Sequence, residues 1–259
     1  MTELSNGKQM EKDLHHIYAR DLVKIYGKRT VVRNLSMEMR QGEVVGILGP
    51  NGAGKTTTFY MILGLAKPNS GQVLFDNRDI THYPMYRRAR LGLGYLAQAP
   101  SIFSKLSVRD NVLAILQTLG ISKKEQFSRL ESALEELNLA PLATQKAYTL
   151  SGGERRKLEI TRALVTNPTF IFMDEPFAGV DPIAVADIQD IIAKLRDKNI
   201  GVMLTDHNVI ETLKIVNRAY IIFEGKIIVS GSSLELINDE KAKQVYLGDR
   251  FLTNPFEQR

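Results

Sequence analysis

Cysteine is absent from the 259 residues, which excludes disulfide staples and thiolate metal sites and suits a reducing cytoplasm. Long hydrophobic runs are absent as well. The strongest candidates, 170–173 and 219–223, fall far short of the roughly 20 residues that a bilayer-spanning helix requires, so a membrane role is expected to go through a partner. The polar start, Met1 to Gln9, lacks the apolar centre of a secretory signal and reads as part of a flexible tail over 1–14. Excess charge is small. The 34 basic and 29 acidic residues leave +5, which suits acidic ligands, anionic headgroups or nucleic acid without choosing among them. A hydrophobic share of 44% against 24% charged residues describes a chain able to bury a substantial core.

What is present is a phosphate loop, Gly49-Pro50-Asn51-Gly52-Ala53-Gly54-Lys55-Thr56, a complete G-x-x-x-x-G-K-T. Such a loop works only where a buried strand delivers the chain to a helix N-terminus. Both flanks comply: Val44 to Leu48 is a β-branched apolar run suited to a doubly covered parallel strand, and Thr56 to Leu63 can continue as a helix. The glycines admit backbone conformations that a Cβ obstructs, so successive N–H groups can turn toward phosphate oxygens. Lys55 adds a point charge toward the β- and γ-phosphates, and the Thr56 hydroxyl is placed to ligate Mg²⁺. A glycine-rich turn with a surface lysine does not explain why strand, loop, lysine, threonine and helix all agree. ATP or GTP is the expected ligand.

Along the rest of the chain, residues 16–48 alternate short apolar stretches with turn signals and read as an antiparallel β layer. Further strands are expected at 72–77 and 94–98. Apolar positions Val108, Val112, Ile115, Leu116, Leu119, Leu130, Leu134 and Leu137 recur at helical spacing. They mark a helical subdomain inserted at about 100–150. Strands at 170–173 and 202–205, separated by a helix over 183–197, complete an alternating β/α core. One nucleotide-binding domain over 15–235 is expected, with a helical extension and tail over 236–259.

A second set of residues belongs to the same chemistry. Phe170 to Glu175 is an apolar strand ending in two carboxylates, which places acids at the carboxyl edge of a parallel sheet, where nucleotides bind. Adjacent side chains point apart, so Asp174 can face a metal held by Thr56 while Glu175 faces the γ-phosphate and polarises water. Leu150-Ser151-Gly152-Gly153-Glu154 opens a helix. Ser151 and Glu154 have the spacing of a capping box, yet a serine and two glycines at a helix N-terminus also make an anion site. Two half-sites suggest two chains.

Gly49 to Thr56, Leu150 to Glu154 and Ile171 to Glu175, in that order, resemble the nucleotide-binding subunit of an ABC transporter, and the resemblance spans nearly the whole chain. It implies an α/β fold, a P-loop NTPase core with a parallel sheet, an antiparallel β layer and a helical insertion, and ATP and Mg²⁺ as cofactors. It also implies a homodimer with ATP between the copies. Gly49, Pro50, Asn51, Gly52, Ala53, Gly54, Lys55, Thr56 and Thr57 of one copy would face Ser151, Gly152, Gly153 and Glu154 of the other. By the same resemblance Tyr26, otherwise a strand aromatic for the core, stacks on adenine. Gln98 senses Mg²⁺ and the attacking water, and His207, otherwise a structural histidine after a strand, contacts the γ-phosphate. Catalysis then rests on Glu175, His207, Lys55 and Gln98, the metal on Thr56, Gln98 and Asp174, and the link between the two sites on Ala178 to Asp181.

Within the family, Glu175 to Pro182, Thr205 to Leu213, Ser101 to Phe103, Leu106 to Val108, Gly152 to Lys157, and Tyr246 to Gly248 with Phe251 resemble the lipopolysaccharide-export ATPases. The implied partners are two transmembrane permease subunits, with the chain peripheral on the cytoplasmic face of the inner membrane and no direct nucleic acid contact. Branched-chain amino acid importer ATPases share parts of these motifs but not the tail. ABC ATPases that act on nucleic acid usually carry two cassettes or a long coiled-coil insertion, and neither is present. One departure stands out: Ala97-Gln98-Ala99-Pro100 has its proline after the glutamine where the family commonly has it before, which stiffens a different bond. For Ile102 and Phe103, core packing and a groove for the membrane partner are equally open readings.

Overall fold

The computed structural model describes residues 14–248. The expected tail over 1–14, apart from its last residue, and Phe251 with the end of the C-terminal extension lie outside the described residues.

The elements in chain order are β1 (His16–Tyr26), β2 (Arg29–Arg40), β3 (Val44–Leu48), α1 (Lys55–Leu63), β4 (Ser70–Phe75), β5 (Arg78–Asp79), α2 (Met85–Ala89), β6 (Leu93–Leu96), α3 (Val108–Gln117), α4 (Lys123–Glu136), α5 (Gly152–Leu164), β7 (Phe170–Asp174), α6 (Pro182–Asp197), β8 (Gly201–Thr205), α7 (Val209–Leu213), β9 (Arg218–Phe223), β10 (Lys226–Gly231), α8 (Ser233–Asn238) and α9 (Glu240–Ala242). They form two sheets. One is antiparallel, in the order β2-β1-β4-β5; the other runs β10-β9-β3-β8-β7-β6 and is parallel except for β10.

The short parallel strands read as continuous apolar runs because both of their faces are covered. In β3, β7 and β8 every residue is buried, and the side chains sort by parity. Val44, Leu48, Ile171, Met173, Val202 and Leu204 join the cluster formed with α3, α4, α5 and α6. Val45, Ile47, Phe170, Phe172 and Met203 join the opposite cluster, with α1 and the antiparallel sheet. Phe59 of α1 meets Phe172 edge to face at a centroid distance of 5.4 Å, a pair whose burial holds the phosphate-loop helix to the sheet. Truncating Phe172 to alanine would cost about 3–5 kcal/mol. Of the apolar series in the helical region, Leu119, just past α3, reaches the surface, 36% exposed.

This topology decides where chemistry can sit. The loops after β3, β6, β7 and β8 all leave the same carboxyl edge, and these four strands are neighbours in the sheet. They carry the phosphate loop, Gln98, Asp174 with Glu175, and His207.

Candidate nucleotide site

The phosphate loop is shaped by contacts that only glycine permits at two of its positions. Gly49 has φ +144° and lies so close to the Ile222 carbonyl of β9 that a Cβ would collide with it. Gly54 has φ +107°, and a Cβ there would sit 2.8 Å from the Val31 carbonyl. The loop is therefore clamped between β9 and β2. Gly54 precedes α1 with no side-chain cap, so first-turn N–H groups remain available to an anion. Lys55 is 7% exposed, and its Nζ donates to the carbonyls of Gly49 at 2.7 Å and Pro50 at 3.1 Å. Burial lowers its pKa, while the charges of Glu175 and Asp174 pull the other way. Thr56 is exposed and Thr57 half-buried.

Opposite the loop stand the strand-end acids. Asp174, 2% exposed, accepts from Thr205 Oγ1 at 2.8 Å and Tyr60 Oη at 3.3 Å. The next residue turns the chain. Glu175 has φ +48°, a left-handed conformation that costs a non-glycine residue on the order of 1–3 kcal/mol, and its N–H donates to the Thr205 carbonyl at 2.8 Å. This turn separates the two carboxylates. Glu175 Oε2 accepts from Gln98 Nε2 at 2.6 Å, and Oε1 lies 2.6 Å from His207 Nε2. A cavity of about 270 Å³ brings Asn51 to Thr57 together with Glu175 and His207. A neighbouring cavity of about 350 Å³ extends from Pro50 to Ala53 past Arg29 and Arg33.

Asp206 is a member of this region that reading the sequence missed. It is 3% exposed, accepts from Phe177 N at 2.9 Å and Asn208 N at 2.8 Å, and thereby fixes the turn that follows Glu175 and the turn that contains His207. Burial raises its pKa, against the pull of those N–H bonds. Its only signal was its place between Thr205 and His207 at the end of an apolar strand.

Tyr26 ends β1 with 52% exposure, and Lys24 Nζ lies 4.9 Å from its ring centroid. That excludes the core reading of this residue. Ser151 and Glu154 form the capping box: Ser151 N donates to Glu154 Oε2 at 2.8 Å and Glu154 N to Ser151 Oγ at 3.3 Å. The two glycines differ. A Cβ on Gly153 would come 2.9 Å from Ala184 Cβ, whereas one on Gly152 would touch nothing within 4 Å. None of 151–154 lines the cavity shared by Lys55 and Glu175. Asp181 caps α6, accepting from the N–H groups of Ile183 and Ala184.

The segment with the displaced proline is pinned at both ends by α5. Arg156 Nη1 donates to the Ala97 carbonyl at 3.1 Å and to Glu159 Oε2 at 2.8 Å, while Glu159 Oε1 accepts from Ser101 N at 2.9 Å. Beyond it, a groove of about 870 Å³ runs between α2 and α3 past Leu91, Tyr95, Ser101, Ile115 and Arg162. Ile102 packs against the core, but Phe103 is 47% exposed with the Arg162 guanidinium 4.7 Å from its centroid. Core packing therefore holds for Ile102 and not for Phe103.

A doubly covered sheet whose carboxyl edge carries a glycine-clamped phosphate loop and a strand-end carboxylate pair defines a phosphate-loop nucleotide-binding protein. Residues 32–178 match the family model described as ABC transporter. The chain belongs to that family, as one of its ATPase subunits. It is 54% identical over 235 residues to the lipopolysaccharide export system ATP-binding protein LptB of Acidithiobacillus ferridurans, covering 91% of this chain and 98% of the relative. Against LptB of Escherichia coli K12 it is 50% identical over 234 residues, 90% and 97% of the two chains. Among solved structures it is similar to MJ1267, an ATP-binding cassette of an ABC transporter in its ADP conformation, with TM-score 0.81, 31% identity, and 91% and 99% coverage.

Proposed function

We propose that this chain hydrolyses ATP to power lipopolysaccharide export, as a homodimer attached to two transmembrane permease subunits of the LptF/LptG kind. The observation that carries the hydrolytic reading is the bracketing of Glu175 by His207 and Gln98 across a cavity from Lys55 and Thr56. The 54% and 50% identities, spread over nearly the full length of the two LptB relatives, support the transported substrate.

The residues present fit a nucleotide and its metal. The clamped loop leaves N–H groups for phosphate oxygens, Lys55 supplies a charge already threaded through the loop, and the exposed Tyr26 ring is open to stacking by adenine. Thr56, Asp174 and Gln98 supply hydroxyl and carbonyl or carboxylate oxygens, the donors Mg²⁺ takes alongside substrate phosphates. Among the described residues no three His, Asp or Glu side chains form a cage of their own. When bound, the metal would neutralise phosphate charge. Glu175 orients water for attack on the γ-phosphate and takes its proton. Gln98 and His207 hold the two carboxylate oxygens apart and aimed.

Ser151, Gly152, Gly153 and Glu154 complete the site from a second copy. Their helix N-terminus is capped by its own side chains and lies outside the cavity, and Gly152 is open to whatever approaches it. With both copies closed on ATP, and reopened by hydrolysis, a ligand-biased equilibrium does work on the permeases. These would seat a short helix in the groove beside Phe103, with the chain peripheral to the cytoplasmic face of the inner membrane. Among the described residues no helix is long and apolar enough to cross a membrane.

Subunit mixing tests the shared site. Lys55→Ala and Gly152→Asp chains, each inactive alone, should recover turnover when mixed, because one composite site then has both intact halves. No recovery would refute a site built from two copies. Purification of the native chain with its membrane partners tests the substrate: lipopolysaccharide-exporter permeases are expected, and amino acid permeases would overturn the assignment.

A further inference from the structure

Three arginines and two tyrosines that take no part in the nucleotide site form a continuous ribbon beside the groove. Arg78, in β5, donates to Tyr83 Oη at 2.7 Å and stands 5.2 Å from that ring's centroid. Arg87 lies 5.8 Å from the Tyr83 ring and 6.0 Å from that of Tyr86, and Arg90 lies 5.8 Å from Tyr86. Tyr86 is 57% exposed, and all three arginines are exposed. Among the described residues no carboxylate comes within 4.0 Å of any of them. The acid beside Arg78, Asp79, is engaged elsewhere, accepting from Thr81 Oγ1, Thr81 N and Gln72 Nε2.

The ribbon is fixed from below. Arg88 of α2 turns inward, fully buried, and donates to the carbonyls of Thr81, Tyr83, Met61 and Ile62. That seats α2 on the far end of α1, so its outward residues are presented as a set. The same segment runs into the groove, where Met85, Ala89, Arg90 and Leu91 line the wall.

We propose that this ribbon is a contact for the anionic phospholipid headgroups of the membrane that holds the permeases. The inference rests on the groove being the seat of a membrane subunit, because a partner embedded in a bilayer brings headgroups to the face that continues from it. Guanidinium groups match phosphate in geometry and charge, and tyrosine suits a membrane interface. Stacking on the rings limits the rotamer freedom the arginines lose on binding. Nucleic acid is the poorer fit, since single-strand binding uses open aromatic faces for bases and both rings here already carry guanidinium groups.

The test is flotation of the full chain with phosphatidylcholine vesicles, with and without phosphatidylglycerol, at low and high salt. Binding is expected only to the anionic vesicles, weakening with salt. Arg78→Gln with Arg87→Gln should weaken it about 20- to 30-fold, at roughly fivefold per cation near the surface. The same positions as lysine should retain most of it, and Lys226→Gln with Lys241→Gln should leave it nearly unchanged. ATP turnover in solution, which should be equal in parent and variants, is read separately, so loss of the ATPase reading and loss of the lipid reading are distinguishable. Equal binding to both vesicle types, or an undiminished double glutamine variant, would overturn the proposal. So would a double variant that loses a short oligonucleotide but not vesicles.

Discussion

The two segments that the proposed function assigns to phosphate are built on opposite plans. The loop at 49–56 is held by backbone, clamped between β9 and β2, with a buried lysine folded into it and no side chain capping its helix. The segment at 151–154 satisfies itself: Ser151 and Glu154 cap the helix reciprocally, and Gly152 meets nothing. Gly49 and Gly54 of the first cannot take a side chain without moving the strands beside them, whereas Gly152 of the second can take one with little cost to the fold. Mutations should therefore separate into those that lose structure and those that lose only turnover.

The largest effect should come from the acid between the halves. Glu175→Gln keeps the left-handed turn but removes the proton acceptor, so turnover should fall by about 100-fold or more while ATP binding persists and the ATP-bound chain pairs. Parent-rate turnover, measured by phosphate release, would remove Glu175 from the role. On the structural side, Arg88→Gln strips a buried cation from four carbonyls, two of them at the far end of the phosphate-loop helix, an expected loss of about 3 kcal/mol read by denaturant unfolding. A change within error would mean that the first half is held less rigidly than its contacts indicate.

Gly152→Ala sharpens the contrast most directly. Its melting temperature should stay at the parent value or rise slightly, since alanine suits a helix better than glycine, yet turnover should drop about tenfold as its methyl meets the second copy. Gly153→Ala, crowded by Ala184, should lower the melting temperature instead. The smallest effect concerns the cap. Bonds from Ser151 N and Oγ hold the Glu154 carboxyl below its ordinary value of 4.5. Its contribution is then full above about pH 4.5 and is lost as pH falls through the lower folded-state value. Glu154→Gln should flatten that acid limb and cost about 0.5–1 kcal/mol at neutral pH, seen in melts across pH 3 to 7.

The phosphate loop, the acidic pair and the helical stretch were legible because each is a local pattern with one physical meaning: glycines before a lysine, carboxylates after an apolar run, leucines at helical spacing. The capping box was legible for the same reason. Asp206 and Arg88 were not. Each is a charged residue whose partners are backbone groups brought by other elements, and nothing in the neighbouring letters announces burial. Tyr26 and Phe103 were ambiguous because an aromatic at a strand end or in a loop suits the core as well as an interface, and only their exposures of 52% and 47% exclude the core. The left-handed turn at Glu175 was hidden because glutamate rarely adopts it.

The order of strands in the parallel sheet has a consequence for the making of the protein. β3, which delivers the phosphate loop, pairs with β8 on one side and β9 on the other, and both emerge from the ribosome more than about 150 residues later. Until they arrive the strand has no neighbour, Gly49 has no Ile222 to rest on, and Glu175 has no Thr205 carbonyl to hold its turn. The phosphate loop is thus the last part of the sheet to be supported during synthesis, and a chain cut short before residue 218 leaves β3 without its β9 neighbour.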